Sequence, residues 1–190
     1  MSFILNPAIY ERIFVVAYNQ ILKVFAHPEK CCTLFAVVGS TILGKFHNLN
    51  AAPFSGIAAF NLGLPKIIAF AEQTKTGIIP SEKGFHSWVE VDGWFIDFTA
   101  PLFPEMAASI NMGSCPRKMF QKKLSEAAGS IDELDRKASF YCQPDNDFSS
   151  RRIDMIFDTQ ATFDVVYQSI NSYARIGGIP VSAVKIEGSW

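Results

Sequence analysis

Two runs of strand-forming residues, Phe85-His86-Ser87-Trp88-Val89-Glu90-Val91 and Trp94-Phe95-Ile96-Asp97-Phe98-Thr99, are separated only by Asp92-Gly93. Nothing else in the chain restricts its fold as tightly. A two-residue connection between such runs needs positive φ at both turn positions, which Asp-Gly tolerates, so the segment reads as an antiparallel hairpin. Counting outward from the turn sets Val91 opposite Trp94, Glu90 opposite Phe95, Val89 opposite Ile96, Trp88 opposite Asp97 and His86 opposite Thr99. Side chains alternate along a strand, so His86, Trp88 and Glu90 share a face with Phe95, Asp97 and Thr99. Asp97 is then the diagonal neighbour of His86, about 7–8 Å away between backbones, a gap that an imidazole and a carboxylate can close.

Upstream, Asn6-Pro7 reads as an N-cap and first helical position, and Ile9, Ile13, Val16, Ala17, Ile21, Val24 and Phe25 keep helical spacing until Pro28. A break at His27-Pro28-Glu29-Lys30 leads into Cys31-Cys32. The run from Leu34 to Leu43 then predicts a second helix, apolar nearly all round and ending at Gly44. At about 12 residues, roughly 18 Å, it is too short to cross a bilayer and is better placed as the buried central helix of a domain. Cys32 lies in its first turn. There, unpaired N–H groups and the positive end of the helix dipole favour a thiolate, and a neighbouring imidazolium lowers the thiol pKa further.

The rest of the chain predicts strands at Phe54 to Phe60, Lys66 to Ala71, Ser139 to Gln143 and Ile153 to Phe157, with a polar loop from Pro144 to Ser150. A helix is expected from Pro116 to Ala128 with Gly129 as its stop. A second, short one should follow the capping-box pattern Ser130-Ile131-Asp132-Glu133. An amphipathic helix from about Thr159 to Ile176, closed by Gly177-Gly178, precedes a last strand near Val181 to Ile186. Helices bracketing clustered strands argue for an α+β fold, and 190 residues with 49% hydrophobic content suit one domain with a sizeable core.

Charge excludes one class of partner: 17 basic and 18 acidic residues are spread evenly, giving a net −1 and no footprint for nucleic acid. The apolar N-terminus has no basic leader and is broken at Asn6-Pro7 and Glu11-Arg12, so no membrane segment is expected and the protein reads as cytoplasmic. Four irregularly spaced cysteines, Cys31, Cys32, Cys115 and Cys142, then stay as thiols. Without CxxC, HExxH or a glycine-rich phosphate loop, no metal or cofactor is expected. A zinc site from His27, Cys31, Cys32 and His47 is disfavoured, because adjacent cysteines at a helix start point in different directions.

A cysteine in an apolar helix is commonly a core residue, and His86 or Asp97 alone carries little weight. Together they suggest a triad in which Cys32 attacks, His86 shuttles the proton and Asp97 orients His86, while backbone N–H groups at Cys32 hold an oxyanion. Trp88, on the His86 face, is either a shield for the His86–Asp97 contact or plain core.

The order Cys32, then His86-Ser87-Trp88, then Asp97-Phe98-Thr99-Ala100-Pro101 resembles the transglutaminase-like superfamily of papain-like cysteine hydrolases. In that superfamily an alanine commonly sits four positions after the nucleophile. Ala36 fits this for Cys32, whereas the same offset from Cys31 lands on Phe35, so Cys32 is preferred and Cys31 kept as the neighbouring candidate. The chain is also similar to a small bacterial family of unknown function within that group. The resemblance spans residues 28–101 as a catalytic core, with residues 102–190 as family-specific helices and strands completing the fold. It implies a buried helix, Cys at its N-terminus, packed on an antiparallel sheet. It also implies a thiol-dependent hydrolase or acyl transferase acting on an amide, peptide or acyl ester; the alternative is a catalytically inactive binding or regulatory module. Glu29-Lys30-Cys31 replaces the glycine and aromatic context usual before the nucleophile, and Gln20 is the candidate for the glutamine that papain-like enzymes use as an oxyanion donor. Neither the residues nor the resemblance sets an oligomeric state.

Overall fold

The side chain of Asn6 accepts the Ala8 amide at 2.9 Å and Pro7 fixes the first φ, so helix α1 begins there and runs Pro7–Ile21. It stops short of Pro28, its last turn passing into hydrogen-bonded turns up to Phe25. The computed structural model describes residues 3–63, 67–134 and 139–175. Helix α2 spans Cys32–His47 and passes straight through Gly44. Its terminator is Asn48, held in the left-handed region at φ 54°, since asparagine, after glycine, tolerates that conformation best.

The strands are β1 (Ala52–Phe60), β2 (Ile68–Phe70), β3 (Glu72–Thr74), β4 (Gly77–Ile79), β5 (His86–Val91), β6 (Trp94–Asp97), β7 (Phe120–Lys123) and β8 (Phe140–Pro144). Six of them form one sheet in which all the pairings are antiparallel; β3 and β4 make a separate hairpin. The fold is therefore α+β. The β5–β6 turn has φ 49° at Asp92 and 76° at Gly93, and its ladder pairs Val91 with Trp94, Glu90 with Phe95 and Val89 with Ile96, the register expected from the sequence.

Strand β1 holds the sheet together. Along one edge it pairs with β8 from Gly56 to Phe60; along the other, β5 takes Ala52 to Gly56 and β2 takes Ala58 to Phe60. Strand β5 starts at His86 opposite Gly56, just where β2 ends at Phe70 opposite Ala58. That junction is where the candidate site residues gather.

The two faces differ in composition. Val89, Val91 and Ile96 pack on α1, α2 and α5 (Gln160–Arg175), whereas Trp88 and Phe95 join Phe60, Phe120, Phe140 and Phe103, the first residue of helix α3 (Phe103–Ser109), in an aromatic cluster on the other face. Each fully buried side chain of this size contributes roughly 1.5–3 kcal/mol. No helix among the described residues is long and apolar enough to cross a membrane.

Three further sequence expectations are corrected. The segment expected as a helix from Pro116 to Ala128 contains β7 and a 3-10 turn at Leu124–Glu126, because Phe120 fills the aromatic cluster while its backbone extends the sheet beside β6. The Ile153 to Phe157 strand is instead the end of helix α4 (Asn146–Phe157), started within the supposed polar loop by Asp145, whose carboxylate accepts the Phe148 amide at 2.8 Å. The capping-box pattern yields only a 3-10 turn, Ile131–Glu133, in which Ser130 makes no side-chain cap; Glu133 accepts the Gly129 amide instead. The Gly177-Gly178 stop and the Val181 to Ile186 strand lie outside the described residues.

Helix α2 sits close above the hairpin because Gly39 faces Phe98: a Cβ there would lie 2.3 Å from the ring. Gly39→Ala is therefore expected to lower stability by about 1–3 kcal/mol, as overpacking does. Urea unfolding measures this, and an unchanged midpoint would mean that the Phe98 ring yields without cost.

Candidate active site

The turn Pro28–Lys30 delivers the chain to α2: the Cys31 amide donates to the Pro28 carbonyl at 3.0 Å, and Cys31 takes a non-helical conformation at the cap. Cys31 provides no side-chain cap, so the first-turn N–H groups of α2 have no side-chain acceptor from it. Cys32, the first helical residue, is 6% exposed and lines a cleft of about 410 Å³ together with His86 and Phe70.

His86 and Asp97 meet as the register requires, His86 Nε2 lying 2.7 Å from Asp97 Oδ2 with both side chains buried. The other carboxylate oxygen accepts the Thr99 amide at 2.7 Å, and the Asp97 carbonyl accepts the Tyr10 hydroxyl. Asp97 is thus held from three sides. The second imidazole nitrogen, His86 Nδ1, is buried and makes no hydrogen bond of ordinary geometry, although Cys32 lies close enough to feel His86 through both charge and hydrogen bonding. Catalytic contacts are often loose until substrate arrives.

Electrostatically the thiol and the imidazole support each other. Burial works against the Cys32 thiolate and Asp97 adds to that, but hydrogen bonding and charge from His86 and a hydrogen bond from Ser87 prevail, and the thiol pKa falls below its ordinary value. Burial also opposes the His86 imidazolium; the Asp97 charge and hydrogen bond, with help from Cys32, outweigh it and hold the pKa up at about 10. Both shifts favour a thiolate–imidazolium pair.

The remaining predicted residues fall elsewhere. Burial, with the negative charges of Cys32 and Glu29, drives Cys31 up to about 12, and its Sγ–H points at the His27 carbonyl, 3.6 Å away. Trp88 is core: it stacks on Phe95 at 5.3 Å and donates from Nε1 to Glu90. The ring that covers the imidazole is Phe70, stacked on His86 at 4.5 Å, with Phe60 edge-on at 5.6 Å. Gln20 is also corrected, because its amide donates to Ser172 on α5 at 3.2 Å, on the far side of α1, and it does not line the cleft. His47 ends the helix that Cys32 begins, about 22 Å away at 1.5 Å per residue, and it bonds the Tyr173 hydroxyl. One zinc site cannot take both.

Sequence reasoning missed a buried hydroxyl group under the thiol. Ser87 Oγ lies 2.7 Å from Ser55 Oγ and 3.0 Å from Thr33 Oγ1, all three at most 4% exposed. A hydroxyl has one hydrogen and two lone pairs. Either partner could donate in each contact; an arrangement with Ser55 and Thr33 both donating leaves the Ser87 proton for the Cys32 sulfur, in keeping with the hydrogen bond by which Ser87 lowers the thiol pKa. The only sequence signal was polarity at Ser87 on the helix-facing side of β5; its partner Ser55 comes from β1, 32 residues earlier.

The family described as "Protein of unknown function (DUF2026)" matches residues 7–177. A solved structure described as "The crystal structure of genomics APC5867" is similar over 100% of this chain and 98% of its own, at 26% identity and a TM-score of 0.84. No curated protein matches the chain.

Iodoacetamide labelling followed residue by residue in mass spectrometry is expected to find Cys32 reactive below pH 9, losing reactivity as falling pH protonates it, with Cys31 and Cys142, both near 12, silent in that range. Ser87→Ala should raise the Cys32 midpoint by about one to two pH units, since a hydrogen bond to a charged group is worth roughly 1.5–3 kcal/mol. A Ser87→Ala midpoint equal to wild type would remove Ser87 from the site.

Proposed function

We propose a function from the site itself, since the chain belongs to the family described as "Protein of unknown function (DUF2026)" and that description names no chemistry. The protein is a thiol-dependent hydrolase or acyl transferase with a papain-like, transglutaminase-like core, and Cys32, His86 and Asp97 are its triad. One observation carries this proposal: Nε2 of a buried imidazole is fixed by a carboxylate while Nδ1 stays buried, without a hydrogen bond of ordinary geometry, beside a cysteine at a helix N-terminus. An unsatisfied buried nitrogen costs about 1–3 kcal/mol, and a partner arriving in the reaction explains why it is kept.

The chemistry follows from those groups. The Cys32 thiolate forms a C–S bond to the substrate carbonyl carbon, and the carbonyl π pair moves to oxygen, where N–H groups of the first turn of α2 stabilise it. Collapse re-forms the carbonyl and expels an amine or alcohol, which takes its proton from His86 Nδ1. Water or an amine then attacks the thioester and returns a proton to His86, and the thiolate leaves. Asp97 stays ionised throughout and keeps the imidazole in place.

An amide, peptide or acyl ester is the substrate class, and no cofactor enters these steps. We assign the enzyme to the cytoplasm, where a reducing pool keeps its four free cysteines as thiols.

An activated ester such as p-nitrophenyl acetate tests the proposal. Mass spectrometry should find the acetyl group on Cys32; Cys32→Ala and His86→Ala should abolish it, Asp97→Asn should slow acylation by about 10²–10⁴-fold, and Cys31→Ser should retain it. A folded protein that is never acylated, with Cys32 unreactive, would instead be a papain-like binding module.

A further inference from the structure

The cleft beside Cys32 has an apolar wall and a charged rim. Ile68, Phe70, Phe85, Met106 and Ile110 line it, together with four charged residues, Glu29, Lys30, Glu82 and Lys83. Three of these four are already paired. Glu29 meets His27 Nδ1 at 3.0 Å, Lys83 meets Glu72 at 3.3 Å, and Glu82 is bound by Arg152, whose guanidinium also lies 4.4 Å from the centre of the Phe85 ring. Lys30 alone among them makes no ion pair and no side-chain hydrogen bond with any described residue.

Its position is fixed even though its ammonium is free. The Lys30 amide donates to the His27 carbonyl at 3.0 Å within the turn that Pro28 starts, two residues before the nucleophile. Lys30 also lines a second cavity of about 390 Å³ on the other side of the start of α2, shared with Cys31, Leu34 and Arg152. It therefore stands on the ridge between the two cavities.

We propose that Lys30 is a specificity-determining residue that selects acyl substrates carrying a carboxylate on an otherwise apolar body, an inference that rests on Cys32 being the nucleophile. The size of the cleft, about 410 Å³, is that of a small-molecule site and suits one acyl group or one side chain. Its walls give that group apolar contact. Lys83 is matched by Glu72 and Glu82 by Arg152, so Lys30 is the cation on this rim left to meet a substrate anion. The apolar walls make a second ionic group on the substrate costly unless it is paired. Lys30 is exposed, so its contact with a carboxylate is a modest term, large enough to separate two otherwise equal substrates.

Iodoacetate and iodoacetamide provide the test, because they share a leaving group and a reacting carbon and differ in carboxylate against amide. The rates at Cys32 are compared by mass spectrometry in wild type, Lys30→Gln and Lys30→Arg. The expected result is a ratio of iodoacetate to iodoacetamide rates that falls roughly threefold to tenfold in Lys30→Gln, is kept in Lys30→Arg, and declines with added salt in wild type. If Lys30→Gln leaves the ratio unchanged while Cys32 still reacts with both reagents, the role of Lys30 is overturned and the nucleophile stands. If wild-type Cys32 reacts with neither, both are overturned.

Discussion

Asp97 and His86 meet 2.7 Å apart with neither side chain more than 1% exposed, and charges placed there without partners would cost several kcal/mol each. Much of the surrounding architecture supplies those partners. The tight β5–β6 turn sets the register that brings the ring to the carboxylate. The chain bends after Asp97 so that the Thr99 amide reaches Oδ1, and α1 brings the Tyr10 hydroxyl to the Asp97 carbonyl. Phe70 and Phe60 then exclude water from the ring, and in that less polar surrounding the ion pair is stronger than at a surface. Aromatic packing and electrostatics are thus one arrangement, which accounts for phenylalanine as the main component of the cluster behind His86.

Cys32 reaches this pair from a different layer. His86 and Asp97 project from the aromatic face of the sheet, whereas α2 packs on the opposite face. They can approach one another because β5 begins at His86 and β2 ends at Phe70, so the edge of β1 passes from one strand to the other beside the helix start. Strand β8 is pressed against β1 at the same point: at Gly56, opposite His86, a Cβ would lie 2.1 Å from the Gln143 carbonyl oxygen of β8. A side chain at Gly56 would push the strands apart just where His86 pairs.

The parts of this arrangement legible in the sequence are the local ones. Asp92-Gly93 dictates its own turn, Asn6-Pro7 its own helix start, and His86 and Asp97 are 11 residues apart on one hairpin, so their meeting follows from counting. Phe70 over His86 and Ser55 under Ser87 depend on β1 pairing with strands far along the chain, which no local pattern specifies. The same holds for Gln20, whose environment was decided by α5 packing on α1. Where the expected element itself was wrong, a tertiary or capping interaction had overruled the pattern: Phe120 drawn into the aromatic cluster, and Asp145 capping a helix in what looked like a loop.

Cys31 and Cys32 show how far structure decides what two identical residues do. Burial raises both thiols, and neither has a cation beside it in sequence other than Lys30. Successive residues at a helix start diverge by about 100° around the axis, so one sulfur enters the cleft and the other the second cavity. In the cleft, His86 and Ser87 more than offset burial; in the second cavity, Cys31 finds a carbonyl acceptor and the nearby negative charges of Cys32 and Glu29, and its thiol rises to about 12. The turn begun by Pro28 ends the non-helical stretch at Cys31 and makes Cys32 the first helical residue. Which of the two thiols faces His86 is therefore decided by the phase of a helix, set by a turn that begins four residues before it.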